Sequence, residues 1–354
     1  MAFYVLLASF LFFGSFTKQA KYFYKISLVS LFALTALRNP TWGGYDSLSY
    51  IRIYNTVPKI RMLASFKSDY AIGYIFLNSI VKTVFDNYIF FQVVLAIITF
   101  ALIYMIIEKS ELDDSEKCIF LFSYFCYRFM WNTWVTYRQN IANLIVWLFM
   151  LCFWEKREKK NELILIGGST ATCVFHSSAV VNLFLIPCAR IIEKWKVKMR
   201  MIVVTIVSVF LWLFGNRIFS MILNFAAELV DSRYSMYGKS SAGTSNIVNY
   251  IFRLLLFLWM SIIYDKSKYK YKSLAISALS IMVILGSISS ELMNRLYEYY
   301  AIGLYLTFAI CLSAFHGKSR VVAAIIYYVV MIIILVRGVM TFSGGVFVSY
   351  QALF

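Results

Sequence analysis

Seven residues, Arg38, Asp46, Asp69, Arg138, His176, Arg233 and Arg295, are polar or charged and each lies against an apolar run. Their types define the chemistry they can do. A guanidinium stays charged when water is removed and forks onto phosphate oxygens. A carboxylate in an aromatic-rich, low-dielectric cleft can take a proton from a hydroxyl, and an imidazole titrates near neutral pH. Arg128, Arg253 and Arg337 also fall within apolar runs. A guanidinium in hydrocarbon costs at least ~2.5–3.5 kcal/mol, so it either snorkels to the headgroups or faces a cavity and a partner. One such arginine is explained by snorkelling. Five or more at one depth, among Asp46, Asp69, Asp86, Glu228, Asp231, Glu291 and Glu298, predict an anion-binding cavity, and a diphosphate in the outer leaflet suits it.

Candidate bases are Asp46, which follows Gly43, Gly44 and Tyr45, then Asp69 and His176. Asp69 opens a helical pattern, where it can equally be an N-cap. His176 sits in Phe175-His176-Ser177-Ser178 and is read either as a satisfied turn histidine or as a donor to phosphate or an acid/base; His316, beside Lys318 and Arg320, reads as an interface residue. Aromatic residues make up 19% of the chain, and those near the polar residues, Tyr45, Tyr50 and Tyr297 among them, together with Gln139, suit the apolar faces and hydroxyls of a sugar. No metal-ligand spacing, phosphate-binding glycine loop or nucleophile elbow occurs, so the expectation is no metal and no cofactor.

These residues are carried on membrane elements. Hydrophobic positions reach 61% and charged ones only 14% of 354 residues, against roughly 25% charged in soluble domains. The predicted fold is all-α and polytopic, a single membrane domain over 1–354 with about twelve spans: 1–16, 25–37, 88–107, 118–136, 137–154, 162–175, 177–192, 201–220, 247–264, 273–290, 296–315 and 321–341. The first is read as a retained helix, because it lacks a positive start and a cleavage site. The pair within 162–192 is short and can instead be two half-helices meeting near Phe175–Ser178. Alternate connectors hold 20 of the 34 lysines and arginines, and the positive-inside rule makes that set cytoplasmic. The net charge of +17 is thereby assigned to orientation and anionic headgroups, with no nucleic acid implied. The candidate site falls on the opposite, outer side. Two long outer segments are expected: 38–87, with an amphipathic interfacial helix over 70–85, and 221–246, a Ser/Gly-rich mobile loop. The six cysteines show no paired spacing and read as packing residues.

Arg38 with Gly44-Tyr45-Asp46 and Tyr50, then Asp69-Tyr70-Ala71-Ile72-Gly73-Tyr74 leading to Leu77-Asn78, resembles the start of the EpsG family. Arg138-Gln139-Asn140-Ile141-Ala142 is similar to its Arg-Gln-x-hydrophobic-Ala signature, and Phe175-His176-Ser177-Ser178-Ala179 to its Phe-His-x-Ser-Ala signature. Arg233-Tyr234 with Tyr237, and Arg295-Leu296-Tyr297 with Tyr299-Tyr300, resemble its later arginine–tyrosine elements. Asp69 departs from the glutamate of many members, and its shorter side chain reaches a different point. The ordered set spans roughly 30–310 of the sequence. The resemblance implies a bacterial inner-membrane polymerase of the Wzy type for exopolysaccharide, capsule or O-antigen. It would join undecaprenyl-diphosphate-linked oligosaccharides at the periplasmic face, with a chain-length regulator as partner. On this reading Asp46, Asp69 or His176 is the base, Arg38, Arg138, Arg233 and Arg295 hold the diphosphate, and Tyr45, Tyr50, Gln139 and Tyr297 meet the glycan. Three rivals compete. A flippase for the same lipid should place its charges near the midplane. A membrane O-acyltransferase needs a histidine reachable from the cytoplasm. A scaffold tolerates loss of His176 and the buried arginines.

Overall fold

A computed structural model of the chain describes residues 1–44, 46–229, 247–263, 269–288, 290–315, 317–342 and 345–353. Among them every regular element is helical, apart from one antiparallel bridge between Arg38 and Ala352. The expectation of an all-α chain holds. In chain order come α1 (Ala2–Gly14), α2 (Ala20–Ala36), α3 (Ser47–Thr56), α4 (Ile72–Val84), α5 (Tyr88–Lys109), α6 (Asp114–Met130) and α7 (Tyr137–Phe153). Then follow α8 (Lys159–Ala171), α9 (Asn182–Glu193), α10 (Val197–Leu229), α11 (Ile247–Ile263), α12 (Lys272–Leu285), α13 (Glu291–Tyr297), α14 (Ile302–Ser313) and α15 (Gly317–Thr341). Two compact units result, one of Met1–Arg157, Ala171–Val180 and Phe315–Phe354, the other of Glu158–Thr170 and Val181–Ala314.

Three helices are long and apolar enough to cross a membrane: Tyr88–Lys109, Val197–Ile222 within α10, and Gly317–Thr341. The α15 surface shows what surrounds it. Tyr327, Met331, Leu335 and Val339 form a buried stripe, while Val322, Ile325, Val329 and Ile333 are exposed. An apolar stripe of that size is compatible with hydrocarbon, not with water. The remaining apolar helices are shorter than expected for full spans. The predicted pair 162–175 and 177–192 becomes α8 and α9, of 13 and 12 residues, roughly 20 Å each, short of a hydrocarbon core of about 30 Å. The 3₁₀ turns Thr172–Val174 and Ser177–Val181 separate them, which is the half-helix alternative. α10 runs on to Leu229, into the expected outer segment 221–246; the rest of that segment, including Asp231, Arg233, Tyr234 and Tyr237, lies outside the described residues, as do Tyr45 and His316.

In the first unit α6 is central, packed by α1, α2 and α15, and α5 bridges α2 and α7. Sequence sets the starts. The Asn87 carboxamide accepts the Ile89 and Phe90 N–H groups at the head of α5, and Asp113 with Glu116 forms a capping box on α6; each cap is worth about 1 kcal/mol. The border between predicted spans 118–136 and 137–154 is a π-helical turn, Trp131–Val135. In the second unit α12 is central and packs on α9, α10, α11 and α14. Gly303 on α14 allows its backbone to approach Ala275 and Leu279 closely. Arg190 pairs with Glu162 at 2.7 Å and Glu193 at 3.3 Å, tying α8 to α9.

Segment 38–87, expected on the outer side, is more ordered than a loop. It holds α3, a 3₁₀ turn Ile60–Ser65, and α4. α4 exposes Ile72, Phe76, Ile80 and Val84 at four-residue spacing, while Tyr74, Ile75, Asn78, Ser79 and Val81 are buried, so one apolar stripe faces out and the polar Asn78 and Ser79 face in. Its polar side is satisfied within the segment. Ser79 Oγ donates to the Pro58 carbonyl at 2.7 Å, and Lys82 Nζ donates to the Tyr54 and Asn55 carbonyls that end α3.

Candidate functional site

Arg38 follows the last turn of α2 and is 2% exposed. Backbone pairing fixes its position. The Gln92 amide of α5 donates to the Ala36 and Arg38 carbonyls, Asn39 N–H donates to the Gln351 carbonyl, and Leu353 N–H donates to the Leu37 carbonyl. The side chain then turns into the Arg38–Gly44 loop, where Nη1 donates to the Trp42 carbonyl at 3.1 Å. Gly43 makes room for it, since a Cβ there would stand 2.6 Å from Nη1. Gly44 has φ +79°, a conformation few residues other than glycine adopt. Above the loop, Trp42 packs with Trp134, Phe347 and Tyr350, and its indole N–H donates to the Val346 carbonyl. Burial lowers the Arg38 pKa, opposed by the neighbouring phenols of Tyr88, Tyr137, Tyr350 and Tyr50. Arginine starts high enough to remain charged.

Arg138 is in the first turn of α7, where the π-helical turn ends. Its guanidinium carbon lies 5.5 Å from the Tyr50 ring, 5.1 Å from Tyr70 and 5.2 Å from Tyr74, within cation–π range. Tyr74 Oη is 3.0 Å from Tyr137 Oη, and the Tyr50 and Tyr137 rings are 3.9 Å apart. Tyr50 and Tyr137 are electrostatic neighbours of both arginines. The two cations therefore converge on one tyrosine cluster. Burial pushes the Tyr50 phenol up to about 12, against the pull of Arg138 and with a push from Asp46. Buried Nε atoms of Arg38 and Arg138 have no hydrogen-bond partner. Among the described residues neither guanidinium has a carboxylate within 4.0 Å. Desolvated cations without carboxylate partners have unused capacity for an anion.

Asp46 takes the N-cap position of α3 but its side chain makes no cap hydrogen bond. It is half-buried, and Tyr50 senses its charge. Asp69 is a correction. It is exposed and does not cap α4, because Ala71 is extended and the helix starts only at Ile72. His176 lies between the two 3₁₀ turns, half-buried, with Nδ1 2.7 Å from Ser178 Oγ. The turn before it packs on α4 and α7, the helices bearing Tyr74 and Arg138. Gly73 permits that approach: a Cβ would stand 2.8 Å from the Val174 carbonyl oxygen.

The structure thus brings Arg38, Asp46, Tyr50 and Arg138 together in the first unit, with the His176 turn on the same helices. Gln139 is buried there, 3% exposed. Arg295 and Tyr297 belong to the second unit, where the buried Tyr297 ring lies 4.7 Å from the Arg253 guanidinium. Of the other arginines in apolar runs, Arg128 lies over Tyr127 and Trp131, and Arg337 is exposed. Tyr70, Tyr74, Tyr88, Gln92 and Tyr350 are additions that the sequence reading did not assign to the site. For Tyr70 and Tyr74 the signal was their place in the Asp69–Tyr74 stretch that resembles the family's early motif.

The sequence profile of the EpsG family matches residues 21–352. The chain belongs to the EpsG family. Membership ties it to polysaccharide biosynthesis at a membrane. No curated protein and no solved structure matches the chain. The family match runs through both arginines, the α4 motif, the His176 turn and the returning tail as far as Ala352, so the whole site of this EpsG member lies inside it. Among the described residues no group of three or more His, Cys, Asp and Glu could hold a metal ion. Their cysteines are all free.

Proposed function

We propose that this EpsG-family chain is a polysaccharide polymerase that joins undecaprenyl-diphosphate-linked oligosaccharides by glycosyl transfer at the periplasmic face of the bacterial inner membrane. The observation that carries the reading is the buried Arg38 and the half-buried Arg138 on one tyrosine cluster, neither with a carboxylate partner among the described residues. A diphosphate is the anion such a pair fits. In the reaction, a hydroxyl of one lipid-linked unit attacks the anomeric carbon of another glycan. The bond from that carbon to the diphosphate oxygen breaks, and the diphosphate leaves with the electron pair. Arg38 and Arg138 stabilise the charge that develops on it, as a metal does in other transferases. Asp46 takes the hydroxyl proton; its half-buried carboxylate is within electrostatic reach of Tyr50, which borders Arg138. Asp69 and His176 are the fallback bases. Arg295 belongs to the second unit and Arg233 lies outside the described residues, so the reading rests on Arg38 and Arg138. The polytopic arrangement of about twelve spans, with α4 at the outer interface, belongs to this reading.

The test uses purified protein in nanodiscs with its native lipid-linked repeat unit and no nucleotide sugar. A product ladder spaced by whole repeat units is expected, and it should persist after chelation of divalent metals. Arg138→Ala and Asp46→Asn should leave monomer while the protein remains folded. Unchanged monomer with the wild-type protein would overturn the polymerase and favour a flippase.

A further inference from the structure

We propose that Tyr70 is the sugar-recognising wall of the Arg138 site, contacting the sugar joined directly to the diphosphate. The inference rests on the reading above that Arg138 holds that diphosphate. Three tyrosines surround the guanidinium, and they are not equivalent. Tyr50 is 3% exposed and Tyr74 1%. Tyr137 closes over both, by ring contact with Tyr50 and by a hydroxyl contact with Tyr74. Neither offers a face to a ligand. Tyr70 stands as near to the guanidinium, 5.1 Å, but is 42% exposed. It belongs to no helix. Its N–H donates to Ser68 Oγ at 3.1 Å, in the bend between the 3₁₀ turn and α4.

This placement matches the geometry of a glycosyl diphosphate. The anomeric carbon is one oxygen removed from phosphorus, so a phosphate on the guanidinium brings the first sugar ring to the flank of the arginine. The open flank is the one Tyr70 forms. Pyranose rings carry a face of C–H groups that packs on an aromatic ring, and their hydroxyls remain free for polar partners. Asp69, the preceding residue, is exposed. Burying sugar against Tyr70 also removes water from the outer side of Arg138, which strengthens the phosphate contact. Tyr50 and Tyr74 support the cation, and Tyr70 reads what the diphosphate carries.

Binding to the full-length protein in nanodiscs tests this with two probes, undecaprenyl diphosphate and the native undecaprenyl-diphosphate-linked repeat unit. Wild-type protein should bind the glycan-bearing probe more tightly. Tyr70→Ala should weaken that probe about tenfold, in line with a single aromatic stacking contact, and leave undecaprenyl diphosphate within about twofold. Tyr70→Trp should restore the preference. Equal weakening of both probes, or of neither, overturns the inference, as does a wild-type protein without preference. Arg138→Ala separates the two levels. Loss of both probes upholds the diphosphate reading whatever Tyr70 does; retention of undecaprenyl diphosphate defeats that reading itself. Tyr70 is exposed and outside the helices, so its variants should remain monodisperse, and Tyr70→Phe controls for the hydroxyl.

Discussion

Arg138 is bounded by rings on several sides and by no carboxylate among the described residues, so its replacement should affect ligand more than fold. Arg138→Ala is expected to lower turnover by about 10²–10³, the range for losing one preorganised donor at a site of developing charge. Arg138→Lys should recover little, because an ammonium neither forks onto phosphate nor stacks flat on tyrosine. Turnover of the lipid-linked substrate, with thermal unfolding as the control, checks both. Gly43→Ala is subtler. The new Cβ meets Arg38 Nη1, so the guanidinium must move, and a misplacement of that kind can cost about 10²-fold in rate. The expected signature is a fall in kcat with an unchanged melting temperature; normal turnover would show that Arg38 is not held to a working position. The arginines were legible in the sequence because a charge in an apolar run needs a reason. Their tyrosine partners were harder to pick out, because 26 tyrosines are spread over the chain and most of them pack. Tyr50 was expected to meet glycan, yet it is buried against Tyr137 and borders Arg138 instead.

At the scale of elements, segment 38–87 assembles the site. α3 carries Tyr50, α4 carries Tyr74, and the bend between the 3₁₀ turn and α4 carries Tyr70. Their mutual placement depends on the close approach at Gly73 to the turn before His176. Gly73→Leu should separate α4 from that turn and reduce activity at least tenfold, whereas Phe76→Leu on the exposed stripe of α4 should be neutral; polymer yield normalised to membrane-inserted protein distinguishes them. The same stripe can be tested for its solvent. Cysteines placed at Ile72, Phe76 and Ile80 should be shielded from a charged thiol reagent and open to a lipid-soluble one. Hydrophobic patterning identified α4 but not which side faces the protein, because in lipid the apolar stripe points away from the core. Helix starts were legible where caps are strong, as at Asn87 and Asp113. Of the two readings open for Asp69 the N-cap falls away, since a good capping residue caps only if the next residues enter the helix at once.

For the whole molecule, composition was decisive for class and weaker for architecture. It predicted helices and a membrane, but counted full spans where the structure has half-length helices around Phe175–Ser178. A run of apolar residues reports burial or lipid and not where the chain turns; two 3₁₀ turns in an apolar stretch leave little trace. Nor does composition reveal that the chain closes on itself. Trp42 donates to Val346 across 304 residues, and Arg38 pairs with Ala352. Deleting residues 346–353 should leave the helices inserted but uncover Arg38, with loss of polymer and little change in membrane-embedded protein on a blot.

That closure has a consequence for biogenesis. A membrane protein enters the bilayer as it is made, one helix after another. Arg38 is made long before the segment that roofs it. Until α15 has crossed and the tail has turned back, the nascent protein has no finished pocket, so ribosomes that stall or terminate early release products that are inserted but inert. The order of translation thus acts as a check on assembly, withholding a finished arginine pocket from copies that stop short of the returning tail.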